Sequence, residues 1–183
     1  MNTGKGCVNT LTFDLEANNL IPMVDTIWCV ATKWNDEETL VWKDRKELAN
    51  YIWQLPDSFL LIGHNILKYD LNVLTRLWKF PYTIGKQDTF CTKPVTVFDT
   101  CAMSEFLNPD RQGGHSLENW GNIVGVNKMD FRGELVDLGV IEWNAPKGEE
   151  FKQYHPLMDS YCIQDVETTY AAYKRQLREI DGY

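Results

Sequence analysis

The sequence TLTFDLEANNL, residues 10–20, alternates apolar and polar side chains with the period of a half-buried β-strand. In such a strand Asp14 and Glu16 lie on the same face, about 7 Å apart along the chain. Two carboxylates on one face repel each other unless a positive group lies between them, and hard cations such as Mg²⁺ bind carboxylate oxygens. The pattern fits a metal-binding strand and an ordinary solvent-facing strand edge equally well, so the rest of the chain has to decide between them.

The length and composition of the chain predict a single globular domain spanning residues 1–183. Aromatic residues make up 13% of the sequence, including seven Trp, which excludes a disordered protein. The formal charge of −8 argues against binding nucleic acid by charge alone, but it suits an enzyme whose acidic pocket is neutralised by metal ions. Local cations such as Lys68, Lys128 and Arg132 could help to bind a nucleic-acid strand, but we expect each of them to be a solvated surface charge. The five cysteines include no C-x-x-C pair, so neither a disulfide framework nor a zinc site is indicated.

Downstream of the acidic strand, the apolar pattern predicts a mixed α/β domain. Further strands are expected at residues 26–34, 39–43, 59–62 and 95–98. Helices are expected at residues 44–53, 67–78, 99–107 and 115–125, and a last helix follows Pro156. Residues 126–153 lack periodicity, and a long irregular loop inside a compact domain is often functional.

Two of these helices carry an acidic residue at their apolar stripe. In helix 67–78, Asp70 lies within the stripe, so it either points at the core, where it needs a partner, or reaches solvent if the helix is rotated. In the last helix, Tyr161 and Asp165 lie one turn apart beside the start of the stripe. The alternative interpretation of this pair is a core tyrosine next to a rim aspartate. That stripe consists of Cys162, Val166, Tyr170, Tyr173, Leu177 and Ile180.

Taken together, these residues resemble the DEDD superfamily of 3′–5′ exonucleases. Its three motifs here read Asp14-x-Glu16, Asn65 through Tyr69-Asp70, and Tyr161-x-x-x-Asp165. The tyrosine subclass has Tyr four residues before the final Asp, whereas the histidine subclass has His five before it, where this chain has Ser160. The chain is therefore similar to the tyrosine subclass (DEDDy), and most similar to the proofreading domain of family-A DNA polymerases from podoviruses. Further matching blocks lie at residues 64–70, 99–100, 115–121 and 164–166.

The resemblance implies a fold and a set of site residues. The fold would be a ribonuclease-H-like α/β fold, with a mixed five-stranded sheet flanked by helices, strands one to three antiparallel and the later ones parallel. The carboxylates that would hold two divalent ions, Mg²⁺ or Mn²⁺, are Asp14, Glu16, Asp70 and Asp165. Tyr161 would orient the attacking water. Leu20, Asn65 and Tyr69 would bind the substrate, with Leu20 as a wedge against the terminal base and Asn65 near the scissile nucleotide.

The expected activity is metal-dependent 3′–5′ hydrolysis of single-stranded DNA ends, which releases nucleoside 5′-monophosphates. Two alternatives stay open: an RNA-trimming or oligoribonuclease-type enzyme on the same fold, and a non-catalytic nucleic-acid-binding subunit. The sequence carries no polymerase motifs, so we expect either an exonuclease with a separate DNA polymerase as its partner or one domain of a longer protein. With no signal peptide and no long apolar run, we expect a cytoplasmic protein, in the host cytoplasm if it is viral, with no membrane partner.

Overall fold

The computed structural model of the chain describes residues 8–83, 89–91 and 93–182. The strands are β1 Thr10–Ala17, β2 Ile27–Trp34, β3 Leu40–Trp42, β4 Phe59–Gly63, β5 Tyr82–Thr83, β6 Thr89–Phe90 and β7 Lys93–Asp99. The helices are α1 Arg45–Gln54, α2 Asp70–Val73, α3 Thr100–Leu107, α4 Leu117–Val124, α5 Phe131–Asp137 and α6 Leu157–Asp181, with a π-helical turn Leu74–Trp78 and a 3-10 turn Glu149–Phe151. Crossing a lipid bilayer would need a longer or more apolar helix than any that the described residues form.

The main sheet is mixed and five-stranded, as predicted. β1, β2 and β3 form an antiparallel meander, while β4 runs parallel to β1 and β7 runs parallel to β4. The strand order β3-β2-β1-β4-β7 places the acidic strand β1 at the centre. Beyond β7, the two short strands β6 and β5 extend the sheet edge with antiparallel pairing. This extension was not predicted, because strands of two residues are too short to show an alternating pattern.

β1 is buried on both faces, so the prediction of a half-buried strand was wrong. One face places Leu11, Phe13 and Leu15 in the main hydrophobic core, as the alternation indicated. The other face, which carries Asp14 and Glu16, is covered by α6. The local pattern could not show this cover, because it comes from the far end of the chain.

The helix predicted at 67–78 begins three residues later and continues as a π-helical turn. Asn65 adopts a left-handed backbone conformation with φ of 59°, and the Asp99 carboxylate accepts the backbone N–H groups of Asn65 and Leu67. These contacts hold the chain in a turn until the helix starts at Asp70. Asp70 is buried, which confirms that it lies in the core-facing stripe and excludes the rotated helix.

Residues 126–153 are not uniformly irregular, because they contain α5 and the 3-10 turn. Asp130 caps α5 by accepting the N–H of Gly133, and Phe131 and Leu135 bury its inner face. Two apolar anchors over seven residues are too few for a periodicity to be recognised in the sequence. The prediction was correct for the connections around these two elements and wrong for the elements themselves.

α6 spans 25 residues and packs along β1, β2 and β4. The first four residues of its predicted stripe are buried, which confirms the helix face. Leu177 and Ile180, the last two, are partly exposed because the helix runs past the edge of the core. The buried N-terminal half of α6 is therefore the part that faces the acidic strand.

Candidate active site

Three elements that are distant in sequence bring four acidic side chains together. These residues, named here the acidic cluster, are Asp14 and Glu16 on β1, Asp70 at the start of α2, and Asp165 on α6. Glu16 is 8% exposed and Asp70 and Asp165 are 4% exposed, whereas Asp14 keeps partial contact with solvent. One oxygen of Asp14, one oxygen of Glu16 and the Sγ of Cys162 all lie within 4.8 Å of one another.

Burial and mutual repulsion make the acidic cluster hard to ionise without a counter-ion. Burial, followed by the charges of Asp70 and Asp165, raises the pKa of Asp14 well above its usual range. Burial, followed by the charge of Asp14, does the same to the pKa of Glu16. Burial also raises the pKa of Asp70 to about 7, although the backbone of Leu15 donates a hydrogen bond to its carboxylate. Shifts of this kind and origin are typical of functional sites.

Lys128 lies at the acidic cluster, so the prediction that it is a solvated surface charge was wrong. Its Nζ lies 2.9 Å from Oδ2 of Asp165 and 4.6 Å from the centre of the Tyr161 ring. Burial raises the pKa of Asp165, and the attraction of the Lys128 ammonium offsets part of that rise. The sequence marked Lys128 only as one of several local cations, because it lies in the segment without periodicity and reaches the site only through folding.

Tyr161 lies one turn before Asp165 on α6, and aromatic residues from the preceding segment hold its ring. The ring stacks on Phe131 with 5.2 Å between centroids and lies 6.2 Å from the ring of Phe151. Burial, followed by the charge of Asp165, raises the pKa of the phenol, so it stays protonated at neutral pH. A protonated phenol can donate a hydrogen bond to a reacting group but is a poor base. The interpretation as a core tyrosine explains the packing of the ring but not the Lys128 and Asp165 beside it.

Two clefts open beside the acidic cluster. The first has a volume of about 550 Å³ and is lined by Glu16 and by two predicted substrate residues, Leu20 and Tyr69. The second has a volume of about 630 Å³ and is lined by Lys128 and Tyr161. The acidic strand borders one cleft and the lysine–tyrosine pair borders the other, so the two clefts flank the same centre.

The wall between the two clefts is built around the 3-10 turn. Lys147, Glu150 and Phe151 line both clefts. Arg132 Nη1 lies 2.7 Å from Glu150 Oε2, and its guanidinium also donates to the backbone carbonyls of Ala145 and Pro146. Arg132 is therefore a positioning residue for this wall rather than a solvated charge, whereas Lys68 is exposed as predicted.

The three predicted substrate residues have different surroundings. Leu20 is 70% exposed at the mouth of the first cleft. The hydroxyl of Tyr69 donates to the carbonyl of Asn19 over 2.7 Å and so ties the Leu20 loop to the start of α2. Asn65 lines neither cleft, and its backbone N–H is bound to Oδ1 of Asp99 at 2.9 Å. The structure thus brings Leu20 and Tyr69 to the cleft and leaves Asn65 in the supporting turn.

The donor set of the acidic cluster fits a divalent metal ion. Its carboxylate oxygens are the ligands that Mg²⁺ and Mn²⁺ prefer. Oδ1 of Asp165 is buried and has no hydrogen-bond partner among the described residues. The single positive charge of Lys128 cannot neutralise four carboxylates. A divalent cation would supply both the missing charge and the missing partner.

Comparison with known proteins gives one relative in sequence and several in structure. No protein-family profile matches the chain. The chain is 26% identical over 195 residues to the DNA-directed DNA polymerase of Enterobacteria phage T3, a match that covers 92% of this chain and 27% of the polymerase. The chain therefore spans about a quarter of the length of this curated relative.

Two solved structures share the architecture of most of the chain. The Mg²⁺-bound structure of Brucella melitensis NrnC superposes with a TM-score of 0.56 at 18% identity, over 98% of this chain and 77% of NrnC. The family B DNA polymerase of the hyperthermophilic archaeon Pyrobaculum calidifontis superposes with a TM-score of 0.57 at 17% identity, over 93% of this chain and 24% of the polymerase. The fold is ribonuclease-H-like. At these identities the structural similarity establishes the fold alone, and the chemistry has to be argued from the residues of the site.

Proposed function

We propose that this chain is a metal-dependent 3′–5′ exonuclease of the tyrosine subclass that hydrolyses single-stranded DNA ends and releases nucleoside 5′-monophosphates. The observation that carries the proposal is the convergence of the acidic cluster with Tyr161 and Lys128 between two clefts. Buried carboxylates with too few donors are costly to the fold, which indicates that they serve a bound cation.

The acidic cluster would hold two divalent ions, Mg²⁺ or Mn²⁺. Bound there, such ions supply a hydroxide nucleophile at neutral pH and stabilise the charge that develops on the phosphate and the leaving 3′-oxygen. Tyr161 contributes a hydrogen bond that orients the attacking water, since its phenol stays protonated. Lys128 adds positive charge beside Asp165, where the substrate phosphate adds negative charge.

The first cleft suits the terminal nucleotide of a strand. Leu20 offers an exposed apolar side chain at its mouth, and Tyr69 and Phe151 line it with aromatic rings. Base–aromatic stacking contributes about 1–3 kcal/mol per base without reading sequence. Lys147 lines both clefts and gives a local positive charge in a chain whose formal charge is −8. In this proposal, stacking on aromatic rings and contacts between metal ions and phosphates bind the strand, in place of the basic surface that the net negative charge argues against.

The relatives support this proposal. The phage T3 relative is a DNA polymerase, and the similar NrnC structure contains bound Mg²⁺. The match to 27% of that polymerase suits a proofreading role in which a DNA polymerase supplies the 3′ end, either within a longer protein or as a separate partner. The DNA strand is therefore our first choice of substrate.

The test is hydrolysis of single-stranded DNA and RNA labelled at the 5′ end, incubated with Mg²⁺. We expect a ladder of labelled DNA products that shorten one nucleotide at a time, with unlabelled 5′-monophosphates as the second product. A strand labelled at the 3′ end should release its label as the first mononucleotide. Asp14→Ala is the control for a contaminating nuclease.

Three other outcomes would contradict the proposal in different ways. Faster shortening of RNA than of DNA would favour the RNA-trimming enzyme. Binding of the strand without cleavage would favour a non-catalytic subunit. Release of label from the 5′ end, or internal cuts, would contradict the 3′–5′ direction.

A further inference from the structure

Three exposed apolar side chains lie within four residues on the connection between β1 and β2. Leu20 and Met23 are each 70% exposed, and Ile21 is 43% exposed. The sequence LIPMV, residues 20–24, contains no charged residue. Single exposed apolar side chains need no explanation, whereas a contiguous apolar patch indicates a surface that binds something. We name residues 20–23 the apolar tip.

Contacts within the connection hold the apolar tip in one conformation. Oδ1 of Asn18 accepts the backbone N–H of Asp25 at 3.1 Å, which closes the base of the loop. The carbonyl of Leu20 accepts the backbone N–H groups of Met23 and Val24, at 2.8 and 3.0 Å. The side chain of Val24 is fully buried in the main core and anchors the tip from below. A loop that is ordered in advance loses little conformational entropy when it contacts a ligand.

A second element fixes the direction of the apolar tip. The π-helical turn Leu74–Trp78 carries Arg76, whose Nη1 donates to the carbonyl of Pro22 over 2.8 Å. The hydroxyl of Tyr69 donates to the carbonyl of Asn19, just before the tip. Both contacts use backbone carbonyls of the loop, while the apolar side chains of the tip point to solvent. Arg76 is therefore a positioning residue for the tip.

The apolar tip lies at the mouth of the first cleft. Leu20 lines this cleft, whereas Ile21 and Met23 line neither of the two clefts beside the acidic cluster. A terminal nucleotide that enters the first cleft from a duplex brings the adjoining base pairs against the outer side of the tip. Leu, Ile and Met are among the side chains that proteins insert as wedges between base steps. Such contacts need no positive charge, so they suit a chain whose formal charge is −8.

The energetics of base opening determine what a fixed wedge does. Taking a base out of a duplex costs free energy, and the cost is smallest when the base is mispaired. An apolar side chain that covers the exposed face of the next base pair replaces part of the lost stacking and so lowers the cost. Because the same wedge acts on every end, a paired end remains harder to open than a mispaired one.

We propose that the apolar tip is a wedge that opens the last base pair of a duplex DNA end and delivers the 3′-terminal nucleotide to the first cleft. The substrate class is then the duplex end, with mispaired ends hydrolysed before paired ones. Ile21 and Met23 contact the duplex, and Arg76 sets the direction of the tip. This inference rests on the proposed function, since it takes a nucleic-acid strand as the occupant of the first cleft.

The direct experiment measures base opening without cleavage. The probe is a DNA duplex whose recessed 3′ end carries 2-aminopurine paired with thymine and a non-cleavable last linkage, because 2-aminopurine gains fluorescence when it leaves the base stack. Saturating wild-type chain with Mg²⁺ should raise this fluorescence, and the double variant Ile21→Ser/Met23→Ser should lose the rise. The matched control is Leu138→Ser, since Leu138 is 59% exposed on the connection after α5, and it should behave as wild type.

Hydrolysis rates give the second readout. Met23→Ser should lower the rate on a paired end by about tenfold or more, the factor for losing one buried methionine side chain, and leave the rate on a single strand unchanged. Arg76→Ala should lower the paired-end rate by about threefold, because it loses one hydrogen bond to the tip. Arg76→Lys should restore part of that rate, since it keeps a donor. A merely structural role of Arg76 would lower both rates equally.

The remaining outcomes separate this inference from the proposed function. No fluorescence rise with the wild-type chain, or an equal loss of rate on paired and single-stranded DNA in Met23→Ser, would overturn the wedge. Self-association of the wild-type chain that Met23→Ser abolishes would also overturn it, because the tip would then contact a second copy. A fluorescence rise that depends on Met23, without hydrolysis of any strand, would keep the wedge and contradict the proposed function. Hydrolysis of single strands without opening of paired ends would contradict the wedge alone.

Discussion

Two buried acidic sites lie near each other in this fold and differ in how their negative charge is compensated. The carboxylate of Asp99, at the end of β7, accepts four backbone N–H groups, from Asn65, Leu67, Cys101 and Ala102. In the acidic cluster, by contrast, the ammonium of Lys128 forms a salt bridge with one of the four carboxylates, that of Asp165. Burial raises the pKa of all four of its members.

The difference shows that burial of an acid does not by itself indicate a functional site. Backbone N–H groups satisfy the oxygens of Asp99, so this residue caps α3 and fixes the turn at Asn65. Within the described part of the chain, no comparable set of donors contacts the acidic cluster, and its crowding works against the folded state in the absence of a cation. The number and direction of donors distinguish a structural carboxylate from a metal-binding one.

Removal of metal ions should have the largest effect on activity. EDTA should lower strand hydrolysis to background, because the acidic cluster cannot activate water without its cations. Adding Mg²⁺ or Mn²⁺ in excess should restore the rate. Steady turnover in metal-free buffer would contradict the metal-dependent mechanism and remove the functional distinction between the two acidic sites.

Truncation of a cluster carboxylate should have the next largest effect. Asp14→Ala and Asp165→Ala should lower kcat on the order of 10³-fold or more, because each loses a ligand that stabilises the transition state. In Asp14→Ala the metal-free free energy of unfolding should stay the same or rise, since a repelling charge is removed. A wild-type rate in Asp14→Ala, measured by single-turnover hydrolysis, would contradict the assignment.

Tyr161→Phe should lower the catalytic rate by about 10- to 10³-fold, the range expected for one well-placed donor or proton-transfer group. The ring packing on Phe131 remains, so thermal unfolding should change little. Metal-dependent affinity for a single-stranded 3′ end should persist, whereas Asp165→Asn should weaken metal binding as well as rate. An unchanged rate would mean that Tyr161 has only a packing role in the core. The assignment to the tyrosine subclass would then imply no mechanism in this chain.

Substitution of Asp99, the structural carboxylate, should affect stability in the opposite direction from substitution in the acidic cluster. Asp99→Ala should lower the free energy of unfolding by about 2–4 kcal/mol, because it removes a helix cap and leaves buried N–H groups without acceptors. Urea denaturation beside Asp14→Ala is the matched comparison. Equal destabilisation of the two variants would contradict the distinction between the structural carboxylate Asp99 and the acidic cluster.

The pH dependence of stability should be the smallest and most specific effect. The folded-state pKa of Asp70, about 7, lies above its usual value of 3.8, so the folded chain binds this proton more tightly than the unfolded chain does. Its contribution to metal-free stability is therefore complete below about pH 4 and is lost as pH rises through about 7. Asp70→Asn should flatten this fall. A fall of equal size in wild type and Asp70→Asn would contradict the assigned shift.

Much of the fold followed from local patterns. The alternation along β1 predicted that Asp14 and Glu16 share a face, and the apolar stripe of helix 67–78 predicted that Asp70 points inward. The positions of Asp99 and Gly125 predicted a helix start and a helix end, and both are correct. These features depend on neighbours in sequence, which is why the sequence alone contained them.

The features that the sequence did not reveal depend on contacts between distant segments. Lys128 meets Asp165 only after the segment without periodicity folds over α6. Asn65 matched a substrate-binding position, yet its backbone is held by Asp99 from a different strand. In the sequence, Cys162 was one member of an apolar stripe. Only the packing of α6 on β1 brings its thiol against Asp14. Local propensity carries no information on such pairings.

The most direct test of the central claim, that the carboxylates with too few donors are the metal site, is calorimetric titration with Mn²⁺. Wild type and Asp99→Asn should bind Mn²⁺ with similar affinity, because the Asp99 carboxylate is already occupied by backbone donors. Asp14→Asn should lose binding by about tenfold or more, since it removes a direct ligand. Equal Mn²⁺ affinity in wild type and Asp14→Asn, or loss of binding in Asp99→Asn alone, would contradict the account.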